Sequence, residues 1–212
     1  TALSQAVGGI LPLVYFARPN DSLLRLGSAS FDGFALWRTC TNGVSELVSN
    51  ISMSLVGLLF NVQLMAYAGE NGVAAYGVIM YIDFIFLAAF IGYAMGTAPV
   101  ISYHYGAQNH DELKSLLRKS LIILLITSIG MFVFAEIMAR PLALIFASYD
   151  PTLLDITAHG FHIYSISFLF VGFTIFGSSF FTALNNGLVS AIISFVRTLI
   201  FEVVAVLILP AL

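Results

Sequence analysis

The chain of 212 residues carries 9% charged side chains against 59% hydrophobic ones, with a formal net charge of −3. A water-soluble domain carries about 25% charged residues, so an ordinary soluble fold is excluded, and a mean hydropathy of +0.98 points to lipid. The small net charge and the lack of a basic run give no argument for a nucleic-acid partner, and a lone cysteine, Cys40, excludes an internal disulfide framework.

The first stretch, TALSQAVGGILPLVYFA (residues 1–17), reads as the tail of a hydrophobic helix ended by Arg18-Pro19. It has no initiator Met, basic n-region or cleavage pattern, so it is not read as a signal peptide. The last stretch, FEVVAVLILPAL, stops within an apolar span, so both ends read as cut from a longer protein. Residues 18–40 read as a linker on the cytoplasmic membrane face. Leu23, Leu24 and Leu26, then Phe31, Phe34 and Trp37, make short apolar stripes, and Trp37 beside Arg38 suits a headgroup boundary. Residues 41–212 read as one helix bundle, truncated at its end.

Five further spans follow the partial one, at residues 41–68, 72–105, 119–146, 152–184 and 188–212, each long enough to cross a hydrocarbon core of about 30 Å. The long uncharged stretch from Ile163 to Val196 is divided by Asn185-Asn186-Gly187, a strong turn signal. Asn109 with Glu112 three residues on predicts a capping box, and Asp111 adds a first-turn acid. Arg18, Arg25, Arg38, Lys114, Arg118 and Lys119 fall on connections of one side, with Arg140 alone on the other, so the basic side is expected in the cytoplasm.

Against this background a few polar residues need a reason. Glu46 lies in the opening turns of the span TNGVSELVSNISMSLVGLLFNVQLMAYAG, with Asn42, Ser45, Ser49 and Asn50 around it. An ionisable group inside a membrane span costs several kcal/mol and normally faces a bundle interior or a water-filled cavity, so Glu46 is expected to bind a cation or proton. Asp83, in YIDFIFLAAF, reads either as a second such site or as a hydrogen-bonded structural acid. Glu136 and Arg140 are four apart and are expected to neutralise each other along one helix face. Arg197 and Glu202, five apart, should not face each other on an α-helix. Gly92 and Gly96 make a GxxxG spacing that admits a close helix neighbour, and Pro99 predicts a kink, so these three are candidates for a moving element. Asp155, His159 and His162 share one helix face, a weak zinc pattern with no fourth ligand. A glycine-rich phosphate loop, a serine elbow and an HExxH pair are absent from the sequence, and no enzymatic activity or cofactor is expected.

At GTAPVISYHYGAQNHDELKSLLRKSL the chain resembles the cytoplasmic end of the eighth helix of multidrug and toxic compound extrusion (MATE) transporters. NGVSELVSN is similar to the opening of that family's seventh helix, ALSQAVGGILPLVYF to the end of the sixth, and FVRTLIFEVVAVLILP to the eleventh. The resemblance implies an all-α polytopic bundle, one lobe of a twelve-helix antiporter whose first lobe is its partner. It implies residence in the cell membrane, the bacterial inner membrane, and efflux of organic cations or drugs in exchange for H+ or Na+. Glu46 matches the family's helix-seven glutamate, with Asn50 beside it. The helix-ten aspartate of several members has no counterpart in HIYSISFLFVGFTIFGSSFFTALN, which leaves Asp83 as the other acid available. A carboxyl that holds either a proton or a cationic substrate makes their binding mutually exclusive, which antiport requires. The alternatives are a lipid-linked saccharide flippase of the same superfamily, a membrane enzyme, and a non-transporting scaffold.

Overall fold

A computed structural model describes residues 2–18 and 31–208, the side chain of Ser45 excepted. Leu23, Leu24, Leu26 and Arg25 lie outside the described residues. Two units are distinguished, Thr1–Trp37 and Arg38–Leu212. In the first, α1 (Ala2–Ala17) buries none of its residues. Asp32 caps the next helix, accepting from the amides of Phe34 and Ala35 at 3.0 and 3.1 Å. Residues 33–40, read above as linker, are helical and open α2 (Gly33–Gly106).

Within the second unit α2 is the organising element. It breaks at Gly69, whose φ of 65° and ψ of −159° belong to a region open essentially to glycine alone. The rings of Phe60 and Tyr76 stack with centroids 5.3 Å apart. Residues sixteen apart in a straight helix would be separated by about 24 Å, so α2 folds back into two arms, residues 33–68 and 70–106. The reversal expected as a loop between two spans is a single residue.

α3 (His110–Ala147), α4 (Pro151–Ser165) and α5 (Phe168–Ala183) pack on the second arm. The capping box forms in its essential half: the Asn109 side chain accepts from the Glu112 amide at 3.3 Å. Asp150 caps α4 through the amides of Thr152 and Leu153. α3 buries Ser120, Leu124 and Ser128, then Ala135, Ala139, Ala143 and Ala147, a stripe at every fourth residue. Such small side chains let another helix approach closely, and α4 presents Leu153, Thr157, Phe161 and Ser165 at the same spacing. The middle of the core joins Ile79, Ile82 and Phe86 of the second arm to Ala135, Ala139, Phe161 and Phe168.

The span expected over residues 152–184 is broken: α4 and α5 meet at 54° across Ser165–Phe168. The turn at Asn185-Asn186 is present, with φ of 56° at Asn185 and the Asn186 side chain accepting from the Val189 amide. It packs on the start of the first arm, where a Cβ on Gly187 would lie 2.5 Å from the Asn42 backbone. The last span comprises α6 (Gly187–Ser194), a π-helical segment (Phe195–Glu202) and α7 (Val203–Ile208). Ser178 of α5 bonds Ser190 and Ser194 of α6 at 2.7 and 3.2 Å, so hydroxyls hold this pair where lipid offers no hydrophobic force. Among the described residues three helices, the folded α2 with its two arms, α3 and the last span, are long and apolar enough to cross a membrane, and the bent α4–α5 pair is a fourth when taken as one span.

Candidate functional site

The second arm of α2 carries Asp83 into the middle of the bundle, where it is 6% exposed. Its place follows from its neighbours: Ile79, Ile82 and Phe86, one turn either side, belong to the aromatic core with Phe161 and Phe168. A buried carboxyl needs polar company, and the Tyr164 hydroxyl of α4 stands within electrostatic reach of the Asp83 side chain. Tyr76, two turns earlier on the same arm, lies within electrostatic reach of both Asp83 and Glu202. The acid therefore opens a line of titratable groups, Tyr164, Asp83, Tyr76 and Glu202, shared by α2, α4 and the π-helical segment. Tyr164 was not visible as a partner of Asp83 in the sequence, nor Tyr76 as a neighbour of Glu202, because those pairs join segments far apart in the chain.

Glu202 closes that line with help from Arg197, whose charge attracts it. On an α-helix residues five apart point about 140° away from each other. The π-helical winding from Phe195 to Glu202, with its i to i+5 bonds, narrows that angle, but among the described residues no ion pair joins the two, and Arg197 Nε donates to Thr198 Oγ1 at 3.3 Å.

Glu46 sits differently. It is exposed on the first arm, and the Asn50 amide donates at 2.8 Å to the backbone carbonyl of Glu46, away from its carboxyl. Ser54 repeats this back-bond to Asn50 O and Asn61 to Gly57 O, so these three side chains satisfy themselves locally, whereas Asn42 donates to Thr182 O of α5 at 3.4 Å. Asn50, Ile51, Ser54, Leu55 and Leu58 line an open groove beside Glu46. From the Phe60–Tyr76 register, Glu46 stands level with Phe90 while Asp83 stands level with Met53, about 10 Å apart along the arms. The two acids are not brought together.

Other expectations change. Glu136 turns from Arg140 to α4: its Oε2 lies 2.7 Å from His162 Nδ1 and its Oε1 2.5 Å from Ser165 Oγ. Arg140 instead reaches Asp155 at 4.0 Å. Asp155 and His162 are thus each engaged with α3, and no group of three metal-ligating side chains occurs among the described residues. Gly92 and Gly96 face open space within this chain, so the GxxxG spacing packs no helix of its own bundle. α2 keeps helical dihedrals through Pro99, its break falling at Gly69. The carbonyls ahead of the proline are occupied: Thr97 Oγ1 reaches Tyr93 O at 2.9 Å and Ala94 O at 3.1 Å, and Ser179 reaches Ala94 O at 3.5 Å.

The sequence profile of the MatE family matches residues 47–208. The multidrug export protein MepA of Staphylococcus haemolyticus (strain JCSC1435) is 22% identical over 180 residues, 81% of this chain and 39% of that protein. A crystal structure of MATE in complex with MaL6 superposes on 98% of the chain with a TM-score of 0.88 at 20% identity, and 47% of that chain is covered. An outward-facing multidrug resistance MATE family transporter of the MOP superfamily gives 0.86 at 21% identity over 97% of this chain and 46% of its own. The chain thus spans less than half the length of each.

Proposed function

Since the chain belongs to the MatE family of multi-pass membrane transporters, we propose that it forms the seventh-to-eleventh-helix lobe of an antiporter exchanging organic cations for H+ or Na+. The observation that carries this reading is the buried Asp83, a carboxyl placed in an apolar bundle within electrostatic reach of the Tyr164 hydroxyl. Such a group can take up a proton or a small cation and release it when the bundle opens.

On this reading Glu46 and Asn50 face the substrate path. The exposed face of the first arm, with its groove at Asn50 and Ser54, is the wall turned toward a first lobe that completes the cavity. Residues 1–17 are the end of that lobe's last helix and residues 18–40 are the connection. Glu46 ionised attracts an organic cation, Glu46 protonated does not, and exchange follows from that exclusivity. Asp83, about 10 Å away along the arms, holds the second coupling ion and does not compete directly with substrate.

Efflux of a fluorescent organic cation from vesicles bearing the full-length protein, under an imposed pH or sodium gradient, tests this. The gradient is expected to drive efflux by wild type and not by Glu46→Gln, at least a tenfold loss. Gradient-driven efflux at the wild-type rate in Glu46→Gln would overturn the assignment of Glu46.

A further inference from the structure

The last span holds a charge that no ion pair neutralises among the described residues. Arg197 lies on the π-helical segment, ten residues beyond Gly187, the first residue of α6. At about 1.5 Å per residue that is about 15 Å into a hydrocarbon core of about 30 Å, close to its middle. A guanidinium at that depth is costly and calls for a partner. Arg197 Nε donates to Thr198 Oγ1 at 3.3 Å, and neither Nη atom has a hydrogen bond among the described residues. Glu202 feels the charge without an ion pair, and that acid also stands within electrostatic reach of Tyr76 on the second arm of α2.

The guanidinium borders a groove of about 430 Å³, lined otherwise by Ile192, Ile193, Val196 and Phe201. An α-helix would turn residues five apart about 140° away from each other. The π-helical winding lets Val196 and Phe201 line one groove, and such segments are frequent at functional sites. The groove thus combines an apolar floor with one fork of N–H donors, the geometry that holds a carboxylate bidentately. Its volume lies within the range of small-ligand pockets, about 300–1,000 Å³.

We propose that this groove binds a single-chain amphipathic anion that reaches it from the bilayer, its carboxylate paired with Arg197 and its alkyl body over Ile193, Val196 and Phe201. Charge and depth select this occupant. A cation or a neutral chain leaves the guanidinium unpaired. A phospholipid keeps its phosphate at the membrane surface, about 15 Å from the middle of the core. A single-chain carboxylic acid crosses the middle of the bilayer in its neutral form, and a nearby cation favours its anion. The proposal goes beyond the exchange of organic cations at the first arm of α2 and does not depend on it.

The test is binding of radiolabelled decanoate to the full-length protein in phosphatidylcholine nanodiscs, with the signal of empty nanodiscs subtracted. Wild type is expected to bind saturably, and Arg197→Gln to bind about tenfold more weakly or worse, as loss of a charged hydrogen-bond donor implies. Arg197→Lys, which keeps the charge without the planar fork, is expected between them. Ile193→Trp, which fills the groove and leaves the charge, should also lose binding. On the wild type, decyl sulfate is expected to compete and decyltrimethylammonium not to. Equal binding by wild type and Arg197→Gln, or equal competition by the two amphiphiles, would overturn the proposal. Displacement of decanoate by phosphatidylglycerol in the disc would overturn it by assigning the groove to a lipid head group. Thermal destabilisation of ligand-free Arg197→Gln would do so by assigning the guanidinium to an acid elsewhere in the full-length protein. Efflux of organic cations is read separately: decanoate binding without efflux keeps this site and removes the antiporter, and efflux without decanoate binding does the reverse.

Discussion

The two arms of α2 are alike in composition and opposite in circumstance. The first carries Glu46 with Asn50, Ser54 and Asn61 and leaves most of its length exposed within this chain. The second carries Asp83 and buries Ala75, Ile79, Ile82, Phe86, Phe90 and Ala94. Over residues 41–68 of the first and 72–105 of the second, each contains one acid in an otherwise uncharged membrane stretch, and sequence reasoning treats the two alike. Their difference teaches that an intramembrane acid is defined by what the neighbouring helices bring to it. Tyr164 comes to Asp83, whereas Glu46 has its polar neighbours on its own arm, bonded to the backbone.

The largest expected effect probes that difference directly. Asp83→Lys replaces a buried acid with a long cation and should destabilise the bundle by about 3–5 kcal/mol. Glu46→Lys, on the exposed arm, should cost below about 1 kcal/mol. Thermal unfolding of the purified protein in detergent measures both, and equal losses would erase the contrast between the arms. A smaller effect separates the glycines around the second arm. A Cβ on Gly172 would sit 2.6 Å from the Phe90 ring, whereas one on Gly92 or Gly96 meets nothing within 4 Å. Gly172→Ala is therefore expected to cost about 1–3 kcal/mol. Gly92→Ala and Gly96→Ala should be neutral or stabilising by up to about 1 kcal/mol. Destabilisation at Gly92 in the full-length protein would reveal a neighbour from outside this chain.

Much of the fold was legible because its signals are local. The Asn109–Glu112 cap and the Asn185-Asn186-Gly187 turn each depend on residues within a few positions of one another and appear where expected, as do the apolar runs of membrane length apart from the one over residues 152–184. The break at Ser165–Phe168 carries neither Pro nor Gly and gave no such signal. It is stabilised instead by Glu136 from α3 and by the stacking of Phe168 on Phe86, centroids 4.7 Å apart. The pairing of Glu136 with Arg140 fitted the helical spacing, but His162 and Ser165 lie closer once α3 and α4 pack through their small-residue stripe. The π-helical segment that holds Arg197 and Glu202 was not legible either, because an α-helical period was applied to it.

The measurement that bears most directly on the central claim is the ion dependence of efflux in Asp83→Asn. Full-length wild type and variant would be compared in vesicles, with substrate binding measured in parallel. If Asp83 holds the coupling ion, the variant keeps substrate binding within about twofold while its response to the pH or sodium gradient disappears. Retention of the full gradient response in Asp83→Asn would make Asp83 a structural acid, buried beside Tyr164 for packing alone, and would contradict the account.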